Sequence, residues 1–198
     1  MIKRYSNYSL INDTIEIDGI RMHQTKLKTP WQDSLDKVNL IPIKSNFTIL
    51  DTCTGLGYTA IIAAKKAKLV FTIEYDPYVL EVAKKNSLSE ELFSSEKIIK
   101  IIGHSYELVH CFPSNYFNAI IHDPPRLKRA GELYSLNFYR ELHRILKNNG
   151  YLYHYTGTPG AKKGKNIPKG VRKRLSMAGF KNIKWVEHTL GFIARKSN

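Results

Sequence analysis

Three short stretches of the chain hold residues whose types and spacing could do chemistry. The first is Ile49-Leu50-Asp51-Thr52-Cys53-Thr54-Gly55-Leu56-Gly57-Tyr58-Thr59-Ala60, where an apolar run leads into two closely spaced glycines and a helix-compatible run leaves them. That reads as strand, tight turn, helix. Glycine is needed where backbone must bend and then approach a ligand, because no room is left for a β-carbon. About twenty residues further on, Leu69-Val70-Phe71-Thr72-Ile73 ends in Glu74, followed by Tyr75-Asp76-Pro77. An acidic residue closing the second strand is where a nucleotide-binding sheet holds a ribose by its hydroxyls. The glycine turn lacks a third glycine, so the wide loop that cradles a pyrophosphate is missing and an adenosyl ligand fits better than a dinucleotide. A bare Gly-x-Gly is also an ordinary βα turn, and it is Glu74 that shifts the balance. The third stretch, Asp123-Pro124-Pro125-Arg126, follows the apolar run Ala119-Ile120-Ile121-His122.

Taken together, these residues resemble the class I S-adenosylmethionine-dependent methyltransferases, and more narrowly a group of archaeal predicted methyltransferases of undefined substrate. The likeness runs from about His23 to the C-terminus. It implies S-adenosyl-L-methionine as cofactor, with Asp51 near its ammonium directly or through water, Thr52, Gly55 and Gly57 in the turn, and Glu74 with Tyr75 at the ribose. In many relatives an Asp after the third strand's glycine meets the adenine amine; here His104 and Ser105 follow Gly103, and Ser105 or a backbone group would serve instead. In the resembling enzymes Asp or Asn followed by Pro-Pro and an aromatic residue marks methylation of a ring-conjugated amine. The carboxylate of Asp123 and the carbonyl of Pro124 would accept both N–H bonds and aim the nitrogen's lone pair at the methyl group. Arg126 stands in the aromatic position; a guanidinium can stack on a base or grip a phosphate.

Other candidates carry less. His154 and Tyr155 close the fifth strand and could orient substrate, or equally form a packed pair. His23 and His122 read as structural, and Cys53 as a small buried residue. Cys111 is remote from the fourth strand's end in sequence, so a cysteine nucleophile has little support. No set of side chains has metal-ligand spacing, and none is expected to bind a metal.

Charge narrows the acceptor. Thirty-one Lys and Arg against 17 Asp and Glu give a net charge of +14 over 198 residues, an excess that favours phosphate backbones. Seven of the cations (Lys162, Lys163, Lys165, Lys169, Arg172, Lys173, Arg174) fall between positions 161 and 174 with no acidic residue among them. Loop 161–174 is therefore the expected RNA contact. The leading function is methylation of a base nitrogen in tRNA or rRNA; the alternatives are a spermidine synthase-like aminopropyltransferase or a small-molecule methyltransferase. A polyamine wants an acidic channel, and this basic chain offers few acidic clusters outside Ser89 to Glu96. No long apolar run and no signal-like start are present, so a cytoplasmic protein without membrane contact is expected.

The elements that must position these residues alternate. Strands are expected at 48–51, 69–74, 97–102, 119–122, 151–155, 182–187 and 190–195, with helices at 58–67, 77–86, 135–147 and 168–178. Asn148-Asn149-Gly150 should close the helix that starts at Ser135. The expected fold is an α/β Rossmann-like three-layer sandwich whose seven-stranded sheet is mostly parallel with an antiparallel C-terminal hairpin. Residues 1–44 form an N-terminal extension and 45–198 the cofactor domain. Asp18-Gly19 marks a two-residue hairpin packed against the main sheet. A helix beginning near Pro30 or Asp33 either lids the adenosyl pocket or only packs.

Overall fold

The computed structural model describes residues 5, 7–23, 28–157 and 167–197. The chain opens with β1 (Tyr8–Ile11), β2 (Thr14–Ile17) and β3 (Ile20–Arg21), which form their own antiparallel sheet in the order β1-β2-β3. Both connections are two-residue turns with positive φ throughout: Asn12 and Asp13 at 45° and 60°, Asp18 and Gly19 at 48° and 74°. That conformation matches the twist of paired strands and suits Asn, Asp and Gly. The Asp18-Gly19 hairpin is present and packs on the main sheet through Ile15 and Ile17, but it also pairs with β1, a strand the sequence reading lacked.

Next come α1 (Pro30–Asn39), β4 (Thr48–Asp51), α2 (Tyr58–Ala64), β5 (Leu69–Glu74), α3 (Pro77–Ala83), α4 (Glu90–Ser94) and β6 (Ile98–Ile102). They are followed by α5 (Ser105–Leu108), β7 (Phe117–His122), α6 (Leu136–Ile145), β8 (Leu146–Tyr155), α7 (Ile167–Met177), β9 (Lys181–Val186) and β10 (Gly191–Arg195). Helix starts carry their caps: the side chains of Thr29, Asp76 and Ser135 accept the amides of Gln32, Tyr78 and Phe138, with Pro30 and Pro77 in the first turn.

The main sheet has seven strands in the order β6-β5-β4-β7-β8-β10-β9. β6 to β8 run parallel, while β10 is antiparallel to both β8 and β9. Alternation along each strand divides the core. Ile49, Ala119, Ile121 and Tyr153 face one layer with α1, α2 and α3; Leu50, Ile120 and Leu152 face the other with α6 and α7. This is the Rossmann-like three-layer sandwich with a C-terminal antiparallel hairpin. Ile15, Ile17 and Val38 from the N-terminal elements join the first layer.

One boundary differs. α6 ends at Ile145, and Leu146 to Gly150 belong to the ten-residue β8 instead of closing the helix. Asn149, not Gly150, takes the left-handed conformation (φ 62°). The β7–β8 register shifts between Phe117 and Ala119, so the extra residues are absorbed by an irregularity in the strand.

Candidate active site

The chain lays down β4, β5 and β6 to one side and β7 and β8 to the other, so the order reverses between β4 and β7, and a crevice opens at their carboxyl ends. A cavity of about 190 Å³ occupies it. Of the expected site residues, Thr52, Gly55, Glu74, Tyr75, His104, Ser105, Asp123 and Pro124 line it; Asp51, Gly57 and Arg126 do not.

The glycine turn is stitched to its neighbours. Thr52 N–H donates to the Ile121 carbonyl and Thr54 N–H to that of Ile73. Gly55 (φ 54°) donates its N–H to Glu74 Oε2 at 2.9 Å, and a β-carbon there would meet no protein atom. Space above Gly55 is thus left open to a ligand. At Gly57 (φ 81°) a β-carbon would come 2.7 Å from the Leu92 side chain, so this glycine serves packing. Glu74 Oε1 accepts from Asp76 N–H at 2.9 Å. Burial pushes its carboxyl up to about 7, against the pull of those backbone N–H groups.

Asp51 lies one layer behind the wall, fully buried. Its Oδ2 accepts from Thr72 Oγ1 at 2.8 Å and from Thr59 Oγ1 at 3.3 Å, and Oδ1 is buried with no hydrogen bond of good geometry among the described residues. Burial raises its carboxyl to about 7. Thr59 stands between Asp51 and the cavity, which it lines. Farther along, Tyr75 meets His104 edge-on at 4.5 Å. His104 Nδ1 accepts the amide of Tyr106, and Ser105 Oγ donates to the Thr52 carbonyl, keeping its lone pairs for an incoming N–H. A carboxylate pair, an open glycine backbone and a flanking aromatic ring fit an adenosyl group with a positive charge beside it.

Asp123 faces the same cavity from the end of β7 but is not alone. Lys37 of α1 donates to its Oδ2 at 2.7 Å and to Asp33 Oδ2 at 2.7 Å, and sits 4.4 Å from the centre of the Tyr155 ring. Desolvation would strip the proton from Lys37, but Asp123 and Asp33 outweigh it and hold the amine protonated. Tyr134 Oη donates to the Pro125 carbonyl at 3.1 Å and pins the loop. Beyond it, Arg126 and Lys128 are exposed and Arg129 lines the cavity.

The sequence reading missed Lys37 and Asp33. One signal was available: two charges at helical spacing on the apolar stripe that also holds Ser34 and Val38. The N-terminal elements also line the cavity through Ile15, Ile17, Met22, His23 and Ser34. His23 is held neutral, its pKa lowered to about 4 by burial and then by Lys37. His154 is buried away from the cavity, its Nε2 2.7 Å from Tyr139 Oη, and His122 bridges Thr52 Oγ1 and the Leu133 carbonyl. Burial, reinforced by Glu74, raises the Cys53 thiol well above its usual value. Among the described residues no group of three His, Cys, Asp or Glu is arranged to hold a metal, and no helix is long and apolar enough to cross a membrane. Lys162, Lys163 and Lys165 of the basic loop lie outside the described residues. Lys169, Arg172, Lys173 and Arg174 lie on α7, where Arg174 Nε donates to the Tyr134 carbonyl.

Switch point, glycine turn and acidic strand ends define a class I S-adenosylmethionine-dependent methyltransferase fold. A putative methyltransferase of this type from Methanococcus maripaludis superposes with a TM-score of 0.62 at 20% identity, covering 85% of this chain and 86% of that one. A spermidine synthase in complex with the transition state analogue AdoDATO superposes at 0.77 with 22% identity, covering 93% of this chain and 66% of that one. No family model matches the chain. In sequence it is 50% identical over 194 residues to the uncharacterized protein MJ1233 of Methanocaldococcus jannaschii, covering 97% of this chain and 67% of that protein. A probable ribosomal RNA small subunit methyltransferase A of Methanosphaera stadtmanae is 37% identical over 67 residues, 32% of this chain and 25% of that protein. The chain belongs to the family of the uncharacterized protein MJ1233, and its fold is that of the class I S-adenosylmethionine-dependent methyltransferases. It spans about two thirds of the length of MJ1233 and of the spermidine synthase.

Proposed function

We propose that this protein binds S-adenosyl-L-methionine and methylates a base nitrogen in RNA, tRNA or rRNA. The observation that carries the reading is the junction of two features: Asp123 faces the cavity, and the segment that follows it carries Arg129, which lines the cavity, with Arg126 and Lys128 exposed beside it in sequence. Three cations in four positions suit an anionic acceptor and repel a polyamine.

The cofactor supplies the methyl group as an electrophilic sulfonium. Glu74 accepts from ribose hydroxyls, and Asp51, through Thr59 or a bound water, favours the positive charge beside them. Lys37 occupies Asp123 Oδ2, so Oδ1 and the Pro124 carbonyl remain to accept the two N–H groups of the acceptor amine. Held in this way, the nitrogen presents its lone pair, and the proton it sheds passes by Asp123 Oδ1 to water. RNA relatives such as the probable ribosomal RNA enzyme support the acceptor class.

One observation favours a second reading, aminopropyl transfer: the spermidine synthase likeness covers 93% of the chain. A single assay separates the two. Protein incubated with methyl-labelled cofactor should transfer label to total tRNA or rRNA, traced by nucleoside mass spectrometry. Absence of label in RNA, with turnover only of decarboxylated cofactor and a diamine, would reverse the assignment.

A further inference from the structure

α1 brings two charges onto the face it buries. Asp33 and Lys37, one helical turn apart, are each only 4% exposed. A pair that served packing alone would be complete with these two, and apolar side chains would serve as well. Instead Lys37 reaches on to Asp123, the carboxylate that faces the cavity, with equal 2.7 Å bonds to both acids. Tyr155 covers the ammonium from one side. Asp123 Oδ1 has no side-chain partner among the described residues.

The geometry points to Lys37 as the positioning and specificity-determining residue of the acceptor site. It fixes Asp123 through one oxygen and keeps a positive charge beside the place where the acceptor nitrogen sits. The inference rests on the assignment of Asp123 to the acceptor site above. Its consequence concerns substrate class. With one oxygen of Asp123 engaged, the carboxylate offers a single free acceptor to an N–H. An alkylammonium arriving there meets the like charge of Lys37, which is only 4% exposed and so little screened by solvent. Lys37 thereby offsets one of the two carboxylate charges, Asp33 and Asp123, that a cation would otherwise find. The site therefore takes a neutral, ring-conjugated nitrogen and rejects protonated amines. Without Lys37, Asp33 and Asp123 would form a dicarboxylate suited to a diamine.

The experiment has two arms. In the first, putrescine is titrated by calorimetry into the protein holding S-adenosylhomocysteine. Wild type should show no binding at millimolar putrescine, K37R should behave like wild type, and K37M should bind at least about tenfold more tightly, as expected from removing one close like charge. Adding D123N to K37M should abolish that gain. In the second arm, K37M should lose about a hundredfold or more in RNA methylation kcat with the KM for cofactor within about threefold, and K37R should keep at least about a tenth of the rate. Putrescine binding by wild type, or wild-type methylation by K37M, would overturn the inference. Should K37M not fold, D33N serves: it leaves the Lys37–Asp123 bond in place and must still exclude putrescine, and admission would be decisive against it. If RNA is not the acceptor, the second arm is silent for wild type too, whereas the first still reads Lys37.

Discussion

Asp123 is bonded to a buried lysine and open to the cavity, so its removal should separate binding from chemistry. Asp123→Ala is expected to abolish turnover while calorimetry finds cofactor affinity within about tenfold, roughly 1.4 kcal/mol. Unchanged turnover would remove it from the mechanism. Glu74 and Asp51 supply a test by pH. Both carboxyls are pushed up to about 7 by burial in the ligand-free protein, so near neutrality each is partly protonated. Accepting ribose hydroxyls and sitting near a cation both favour the ionised form, so binding releases protons and affinity rises with pH. Between pH 6 and pH 8 the gain should be about tenfold for each group that must ionise. Glu74→Gln should weaken binding and flatten this dependence, and a pH profile as steep as wild type would exclude Glu74 as its source. Glu74 and Asp123 could be read from the sequence because each ends an apolar run. Lys37 could not be read in the same way: its partner is 86 residues away and the pairing exists only once α1 packs against α2 and brings Lys37 to Asp123.

The turn between β4 and α2 holds two glycines with different duties, and substitutions should divide accordingly. Gly57→Val forces a branched side chain into left-handed backbone and against Leu92. It should cost about 1–3 kcal/mol of stability, seen as a lowered Tm without ligand. At Gly55 the added atoms meet only open space. Gly55→Val should pay the backbone strain alone, yet lose most cofactor affinity because the side chain fills the space left for the ligand. Equal melting losses with equal affinity would refute this division. From residue 45 onward the strands and the longer helices were readable because period and length differ sharply between buried strands and amphipathic helices, whereas the short α4 and α5 were not. β1 escaped because Asn12-Asp13 is a less familiar left-handed turn than Asp18-Gly19. The end of α6 was misplaced because a left-handed residue both stops helices and kinks strands, and only the pairing of Leu146 with Phe117 shows which happened.

A net charge of +14 is a property of the whole chain, and its effect on partners should be read in salt dependence. Each phosphate contact contributes about 0.7 to the slope of log affinity against log salt on single-stranded RNA. Replacing Arg126, Lys128 and Arg129 together by Gln should lower that slope by about 2. An unchanged slope would place the RNA elsewhere, with Lys169, Arg172 and Lys173 on α7 as the next candidates.

Local spacing was enough for the sheet, the glycine turn and the carboxylates at its strand ends, because strand period and backbone geometry are written in neighbouring residues. It was enough, too, for a resemblance to methyltransferases. It did not show that Asp51 stands behind the cavity wall, that the N-terminal elements line the cavity, or that Lys37 engages Asp123. Those depend on which distant faces pack together, and packing is settled by the shape and charge of surfaces that meet only in the folded chain.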